Sequence, residues 1–301
     1  MKVAVSGSSG LVGSALTTAL VANGHTVARF VRPESPATSN SIRWDPLAGT
    51  LDAQALEGAD AIVHLAGASI AGGRWTAARK KILRSSRVEA TQHLLEGISK
   101  LRRRPAVFIS ASAIGFYGDR GVERLTESSA PGDDFLSQLA RDWEASASRA
   151  ESLGMRTVLL RFGVILSTRG GALPRMLTPF RLGAGGRLGP GKQWMSWLTL
   201  DEVIAIILYA LEKDSLRGPV NAVAPNPATN AEFTRVLARA LHRPALFPAP
   251  AFALRLVLGE MADALLLSSQ RVFPERLTAS GYAFRHPLLA EAIATVLASE
   301  K

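Results

Sequence analysis

The chain has 301 residues, 47% of them hydrophobic and 20% charged, with no cysteine and a formal net charge of +10. That balance fits a globular protein with a sizeable core and excludes a disordered or fibrous chain, disulfides, thiolate catalysis and Cys-ligated zinc. The basic residues are scattered, Arg79-Lys80-Lys81 and Arg102-Arg103-Arg104 being the densest runs, so no nucleic-acid surface is expected.

The chain opens on an apolar strand, Lys2-Val3-Ala4-Val5, that runs into Ser6-Gly7-Ser8-Ser9-Gly10-Leu11-Val12-Gly13-Ser14. Gly7 permits the tight turn, Gly10 lets a pyrophosphate approach the backbone, and Gly13 lets the next helix lie close to the sheet. The N-terminal amides of that helix, from Leu11, point at the pyrophosphate. A second strand, Thr26 to Val31, follows about 20 residues later, as a dinucleotide-binding unit requires. Its end carries Val31-Arg32 where an NAD site has an acid. A guanidinium pairs with a 2′-phosphate, which favours NADP(H) over NAD as cofactor.

A third strand, from Ser41, ends at Asp45, which either accepts from the adenine amino group or caps the turn before Pro46. A fourth covers Ala59 to Gly67; its small end, Leu65-Ala66-Gly67, leaves room for a ribose and pyrophosphate, and His64 reads as a core residue and not a base. One basic amphipathic helix is expected over 76–99, then a fifth strand from Pro105 to Ser110, leading through Ala111-Ser112 to Phe116-Tyr117-Gly118. Tyr117 is expected to bury its ring. Asp119, Glu127, Asp133 and Asp134 read as acids of a solvated loop. A sixth strand covers Leu159 to Leu166, with Arg161 pairing or packing at its end. Glycine-dense loops flank a helix at 173–180, and the segment through Trp194 and Trp197 is either a substrate contact or core. A helix beginning at Asp201-Glu202 precedes a seventh strand at 218–223. The last 75 residues read as helical: 231–241 capped by Asn230, an apolar helix over 251–267 that is lobe core or dimer contact, and 287–299. The five histidines show no metal-ligand spacing, and no metal is expected.

Gly7/Gly10/Gly13, Asp60 to Gly67, Ser110-Ala111-Ser112 before Phe116-Tyr117-Gly118, and Leu159-Leu160-Arg161-Phe162-Gly163-Val164-Ile165-Leu166 together resemble the extended short-chain dehydrogenase/reductase superfamily. Arg74-Trp75, Asp134-Phe135-Leu136 with Trp143-Glu144, and Gly189 to Trp197 resemble its atypical YfcH-like epimerase group; Pro274 to Phe284 resembles that group's C-terminal segment. The resemblance spans nearly the whole chain. It implies cofactor contacts at Gly7, Ser9, Gly10, Leu11, Val12, Gly13, Arg32, Asp45, Leu65, Ala66, Gly67, Ser110, Ala111, Arg161, Gly163 and Val164. It also implies a catalytic Ser112 and a homodimer. The chain departs from the superfamily at the catalytic pair: counting back from Glu144, the Tyr position is Leu136 and the Lys position Ala140, neither of which transfers a proton.

The expected architecture is a doubly wound, mostly parallel Rossmann-type sheet from 1–165 plus 197–223, with a smaller helical substrate lobe from 166–196 plus 224–301. The expected function is NADP(H)-dependent oxidoreduction or epimerisation of a nucleotide sugar or carbonyl compound. The competing reading is a non-catalytic NADP(H) sensor. No signal peptide and no membrane span are read, and a cytoplasmic location is expected.

Overall fold

The computed structural model describes residues 1–36 and 38–299. Eight strands form one sheet: β1 (Lys2–Ser6), β2 (Thr26–Val31), β3 (Ser41–Asp45), β4 (Thr50–Leu51), β5 (Ala61–His64), β6 (Val107–Ala113), β7 (Arg156–Phe162) and β8 (Gly218–Ala222). Their order is β8-β7-β6-β5-β1-β2-β3-β4. β1 pairs parallel with both β2 and β5, β2 with β3 and β5 with β6, while β4 turns back antiparallel on β3. The chain therefore winds outward from β1 in one direction and, from β5, in the other. A reversal of this kind opens a crevice beyond the carboxyl ends of β1 and β5.

The longer helices are α1 (Leu11–Ala22), α2 (Ala77–Ser85), α3 (Val88–Ser99), α4 (Phe135–Ser148), α5 (Leu173–Arg181), α6 (Leu200–Glu212), α7 (Asn230–Ala240), α8 (Ala251–Leu258) and α9 (Leu289–Ala298). The expected fold class, a mostly parallel doubly wound sheet with a helical C-terminal part, is the observed one.

The chain divides into two compact units. The first comprises Met1–Ser112, Leu139–Leu160 and Ile204–Val220; the second comprises Ala113–Gln138, Arg161–Val203 and the chain from Asn221 onward. This places 113–138 with the second unit, where the expected division put it with the sheet. Its hydrogen bonds explain the placement: Arg120 N–H donates to Ser269 O, and the Tyr117 hydroxyl to Asn221 Oδ1.

In the first unit the central strands β1, β5 and β6 are almost wholly buried because both faces are covered. Ala4, Ile62, Phe108 and Leu159 pack with Leu94 and Ile98 of α3 in one core. Arg156, buried at the start of β7, donates from Nη1 to Ala210 O and Leu216 O and from Nη2 to Leu211 O, at 3.0–3.1 Å. A cation there satisfies the orphan carbonyls at the C-terminal end of α6.

The second unit has its own core of Leu166, Leu173, Leu177, Phe180, Trp197, Phe233, Leu237 and Ile293. Trp197 belongs to that core. Glu202, 1% exposed, begins α6 and accepts from Arg285 N and His286 N, each at 2.9 Å, and from the Tyr282 hydroxyl. The acid expected only to complement the helix dipole therefore fastens the 282–286 segment.

Several elements depart from their expected limits. The 76–99 helix breaks at Arg87 (φ −116°, ψ −62°) into α2 and α3. The sixth strand is interrupted at Gly163, with Val164–Leu166 pairing instead with Trp197–Thr199. The 251–267 helix breaks at Gly259, where φ is +62°, and α8 buries no residue. α8 is therefore not lobe core, whereas Met261 and Ala262 just past the break are buried. Asn230 is not the cap of α7: Thr229 and Glu232 form a reciprocal capping box, and Asn230 Oδ1 accepts from Leu188 N at 2.8 Å.

Replacing Glu202 removes the acceptor of three part-buried donors at once. Glu202→Ala is expected to lower unfolding free energy by about 3 kcal/mol, measured by urea denaturation.

Candidate functional site

The Gly7 turn and the end of β5 meet without room for a side chain. Gly7 has φ +67°, and a Cβ there would lie 2.9 Å from Leu65 C and O. A Cβ on Gly13 would lie 2.1 Å from Gly7 O. Gly10 begins α1 with no side chain to cap it, which leaves the first-turn N–H groups of Leu11, Val12 and Gly13 available to an anion. Ser9 and Gly10 are exposed beside them. The structure thus assembles the glycine turn, Leu65 and Ala66 into one cradle at the crevice.

A hydrogen-bond chain holds that cradle. Leu65 N and Ala66 N donate to Ser6 Oγ at 3.1 and 3.2 Å, and Ser6 Oγ lies 2.8 Å from His64 Nδ1. On the other side of the ring, His64 Nε2 lies 3.0 Å from Thr91 Oγ1, which itself donates to Arg87 O. Because Thr91 spends its proton on Arg87 O, it accepts from Nε2–H, and Nδ1 accepts from Ser6. His64 is therefore a neutral, fully buried strut, as its place within a strand implied, and burial pushes its pKa down to about 4.

Arg32 is exposed at the end of β2 and close enough for its charge to act on Asp45. Asp45 Oδ1 accepts from Leu47 N at 2.9 Å and Ala48 N at 3.0 Å. Of the two readings left open for Asp45, the structure shows the turn cap. The Ala48 and Leu47 N–H groups hold its carboxyl below the usual carboxylate range. Ser110 lies opposite His64 in the β5–β6 register, and Ala111, also buried, follows it in β6.

Ser112 is 3% exposed and donates to Glu144 Oε1 at 2.6 Å; Glu144, on α4, is 7% exposed. The sequence identified Ser112 but used Glu144 only to count back to Leu136 and Ala140. Those two also lie on α4. Ala140 is buried, and Leu136 Cβ lies 3.3 Å from where a Cβ on Gly115 would stand.

Arg161, Gly163 and Val164 lie in the second unit. Arg161, 2% exposed, stacks its guanidinium 3.5 Å from the Phe116 ring centroid and donates to the Tyr117 hydroxyl at 2.9 Å. Tyr117 is wholly buried and donates in turn to Asn221 Oδ1 at 2.7 Å; burial pushes its pKa up to about 12. Both residues thus have packing roles. Gly163 is a crossing point: a Cβ would lie 2.6 Å from Ser196 O, and Val164 N donates to that same oxygen.

The loop acids are largely committed. Asp134 Oδ1 takes the Ser137 N–H at 2.8 Å at the start of α4, Asp119 Oδ1 takes Ser269 N at 3.1 Å, and Glu127 Oε1 takes Asn221 N at 3.0 Å. Glu127 is not a solvated acid, since its Oε2 is enclosed. Asp133 is exposed. Among the described residues no group of three or more His, Cys, Asp or Glu is placed to hold a metal ion, and no helix is long and apolar enough to cross a membrane.

Sequence reading also passed over Arg87, which is 9% exposed. Its helical spacing was the available signal: four residues after Leu83 and four before Thr91, it falls on the apolar face.

His64 makes the cradle sensitive to acid. Its folded pKa lies below the value near 6.5 of an unfolded histidine, so the unfolded chain binds more protons between those values and stability rises with pH across that window. Between about pH 5 and 7.5 the gain is about 2 kcal/mol, and His64→Asn is expected to abolish it in denaturation curves taken at the two pH values.

Residues 3–223 match the NAD dependent epimerase/dehydratase family, and residues 249–296 match a domain of unknown function, DUF1731. An epimerase family protein of Mycobacterium bovis is 44% identical over 291 residues, covering 97% of this chain and 96% of that protein. The crystal structure of human epimerase family protein SDR39U1 with NADPH is similar at a TM-score of 0.90 and 37% identity, covering 98% of this chain and 99% of that one. A nucleoside-diphosphate sugar epimerase from Corynebacterium glutamicum is similar at a TM-score of 0.82 and 38% identity, covering 99% of this chain and 58% of that one. With the glycine turn and the strand order, these matches establish that the chain belongs to the NAD-dependent epimerase/dehydratase family, as an atypical extended short-chain dehydrogenase/reductase.

Proposed function

We propose that this protein binds NADP(H) at the cradle and carries out oxidoreduction or epimerisation on a hydroxyl or carbonyl carbon, of a nucleotide sugar or a simpler carbonyl compound. The buried Ser112–Glu144 hydrogen bond carries the reading. The residues present fit the cofactor. The glycine turn admits a pyrophosphate where a Cβ would obstruct it, the open amides of α1 suit its charge, and exposed Arg32 suits a 2′-phosphate. The human relative's structure with NADPH supports the same choice. When bound, the nicotinamide supplies or accepts the hydride.

This chain's own part is to move the proton. Leu136 and Ala140 stand where the superfamily pattern has Tyr and Lys, and Tyr117 is buried with its pKa raised. Ser112 Oγ, by contrast, already donates to a carboxylate. As a substrate alcohol is oxidised, its O–H proton passes to Ser112 Oγ while the Ser112 proton passes to Glu144 Oε1; reduction runs the same transfer backward. A carboxylate within hydrogen-bond reach of the transferring hydroxyl is the arrangement general acid–base catalysis needs. Leu136 and Ala140 also favour a second reading, an NADP(H)-binding sensor without turnover.

Calorimetric titration separates these outcomes. NADPH is expected to bind about tenfold or more tightly than NADH, and Arg32→Ala to erase the difference. No binding of either nucleotide would defeat both readings. For a nucleotide sugar or carbonyl compound turned over with NADPH, Glu144→Gln and Ser112→Ala are each expected to reduce kcat by about 100-fold or more with NADPH affinity unchanged. NADPH binding without turnover of any tested compound would favour the sensor.

A further inference from the structure

The second unit exposes a cluster of large apolar side chains where the chain has few acids. Leu182, Leu246, Phe247, Phe252, Leu256 and Val257 are each between 62% and 78% exposed. Backbone bonds lay their two segments side by side. Phe247 N donates to Gly185 O at 3.3 Å, Ala249 N to Arg187 O at 2.9 Å, and Gly189 N to Ala249 O at 2.8 Å. α8 follows at once, with Phe252 and Leu256 one turn apart on one face, and it buries no residue. A helix this short normally owes its stability to packing of an apolar face, and the core of its own unit does not supply that packing. Val21 and Leu47, exposed elsewhere, are isolated in the chain, as is ordinary for a protein surface. A dense exposed cluster marks an interaction surface.

The chemistry of the segment says what it meets. From Pro244 to Leu254 no side chain carries a hydrogen-bonding group. Pro244, Pro248 and Pro250 also lack a backbone N–H, Phe247 N and Ala249 N are bonded as above, and Ala253 N and Leu254 N donate to Pro250 O. A protein partner exchanges about one hydrogen bond per 100–200 Å² of interface, and this surface has little to exchange. Hydrocarbon asks for none. The charges flanking it are mostly positive. No Asp or Glu occurs between Glu151 and Asp201, or between Glu232 and Glu260. Arg181, Arg187 and Arg243, all exposed, border the apolar residues in the chain. Arg255, within α8, is already paired with Asp263 at 2.9 Å. Apolar side chains edged by cations match an anionic headgroup layer over acyl chains.

We propose that the 244–258 segment, together with Leu182, docks this protein on the surface of an anionic lipid bilayer. Phe247, Phe252 and Leu256 enter the boundary of the acyl chains, and Arg181, Arg187 and Arg243 meet the headgroups. Binding of this kind lies in the plane of the interface and requires no spanning helix, and among the described residues there is none. The proposal goes beyond the proposed chemistry at Ser112 and stands or falls apart from it.

Flotation of the full chain with lipid vesicles tests it. Binding is expected to vesicles of about three parts phosphatidylcholine to one part phosphatidylserine, and a drop of about tenfold or more on pure phosphatidylcholine or in molar salt. Phe252→Ser combined with Leu256→Ser is expected to weaken binding by about tenfold or more, while Val21→Ser leaves it unchanged. Arg187→Glu combined with Arg243→Glu is expected to remove the preference for phosphatidylserine. In a separate variant, Phe252→Trp, the added emission is expected to shift to the blue on anionic vesicles. Should the Phe252 and Leu256 double variant not fold, the arginine pair and the tryptophan reporter decide. The proposal is overturned if the wild type does not float with anionic vesicles, or if the folded double variant floats as the wild type does. It is equally overturned if those substitutions dissociate a dimer in sedimentation and vesicle binding is absent, which would assign the surface to a second copy of the chain.

Discussion

A neutral imidazole joins the parts of the first unit that matter for ligand binding. His64 Nδ1 takes the Ser6 proton and Nε2–H reaches Thr91, so one ring fixes the end of β1, the end of β5 and the first turn of α3. Ser6 Oγ in turn receives Leu65 N and Ala66 N, which keeps the β5 end against the Gly7 turn at a spacing that excludes any Cβ. His64 and Thr91 each donate once and accept once, and Ser6 donates once and accepts twice, so neither the tautomer nor the ring orientation is free to change. A buried network satisfied in this way specifies a single geometry, whereas a partly satisfied one would not.

Acids and bases are treated differently inside this protein. Several buried or half-buried carboxylates accept from nearby donors: Glu202 from the 285–286 N–H groups, Asp134 from the Ser137 N–H, Glu144 from the Ser112 hydroxyl. Arg156 is likewise absorbed by helix carbonyls. Arg87 and Arg79 have only a few carbonyl contacts, with donors left over. The formal excess of ten positive charges is therefore not all solvated surface, and part of it lies beside the segment following β5.

How much of this could be read beforehand depended on range. The strand–glycine–helix opening was legible because every constraint there lies within fourteen residues, and the backbone packing of Gly7 and Gly13 leaves a fixed spacing. The break at Arg87 was not, since no proline or glycine marks it; it comes with a side chain turned onto an apolar face. The Thr229–Glu232 box was visible as a Thr-x-x-Glu pattern, and the one-residue error at Asn230 came from choosing the nearer polar side chain. Ser112 and Glu144 are 32 residues apart, and their pairing depends on how α4 packs beside β6, which periodicity does not encode. Glu202 was placed in the right helix turn and given too small a role, because its partners at 282–286 lie 80 residues away.

The two borders of the main sheet bear on association. One ends in β4, only two residues long and antiparallel, with Leu51 seated so close to α3 that a Cβ on Gly97 would lie 2.4 Å from its Cδ2. The other ends in β8, where Pro219 removes a backbone donor from a five-residue strand. A short returning strand and a proline are both devices that stop a β-edge from recruiting another chain. A sheet so rich in Val, Ile and Phe would otherwise be an efficient template for fibrillar stacking. Both rims thus offer few backbone groups for strand addition, which leaves helix and loop side chains as the better-furnished surface for any self-association.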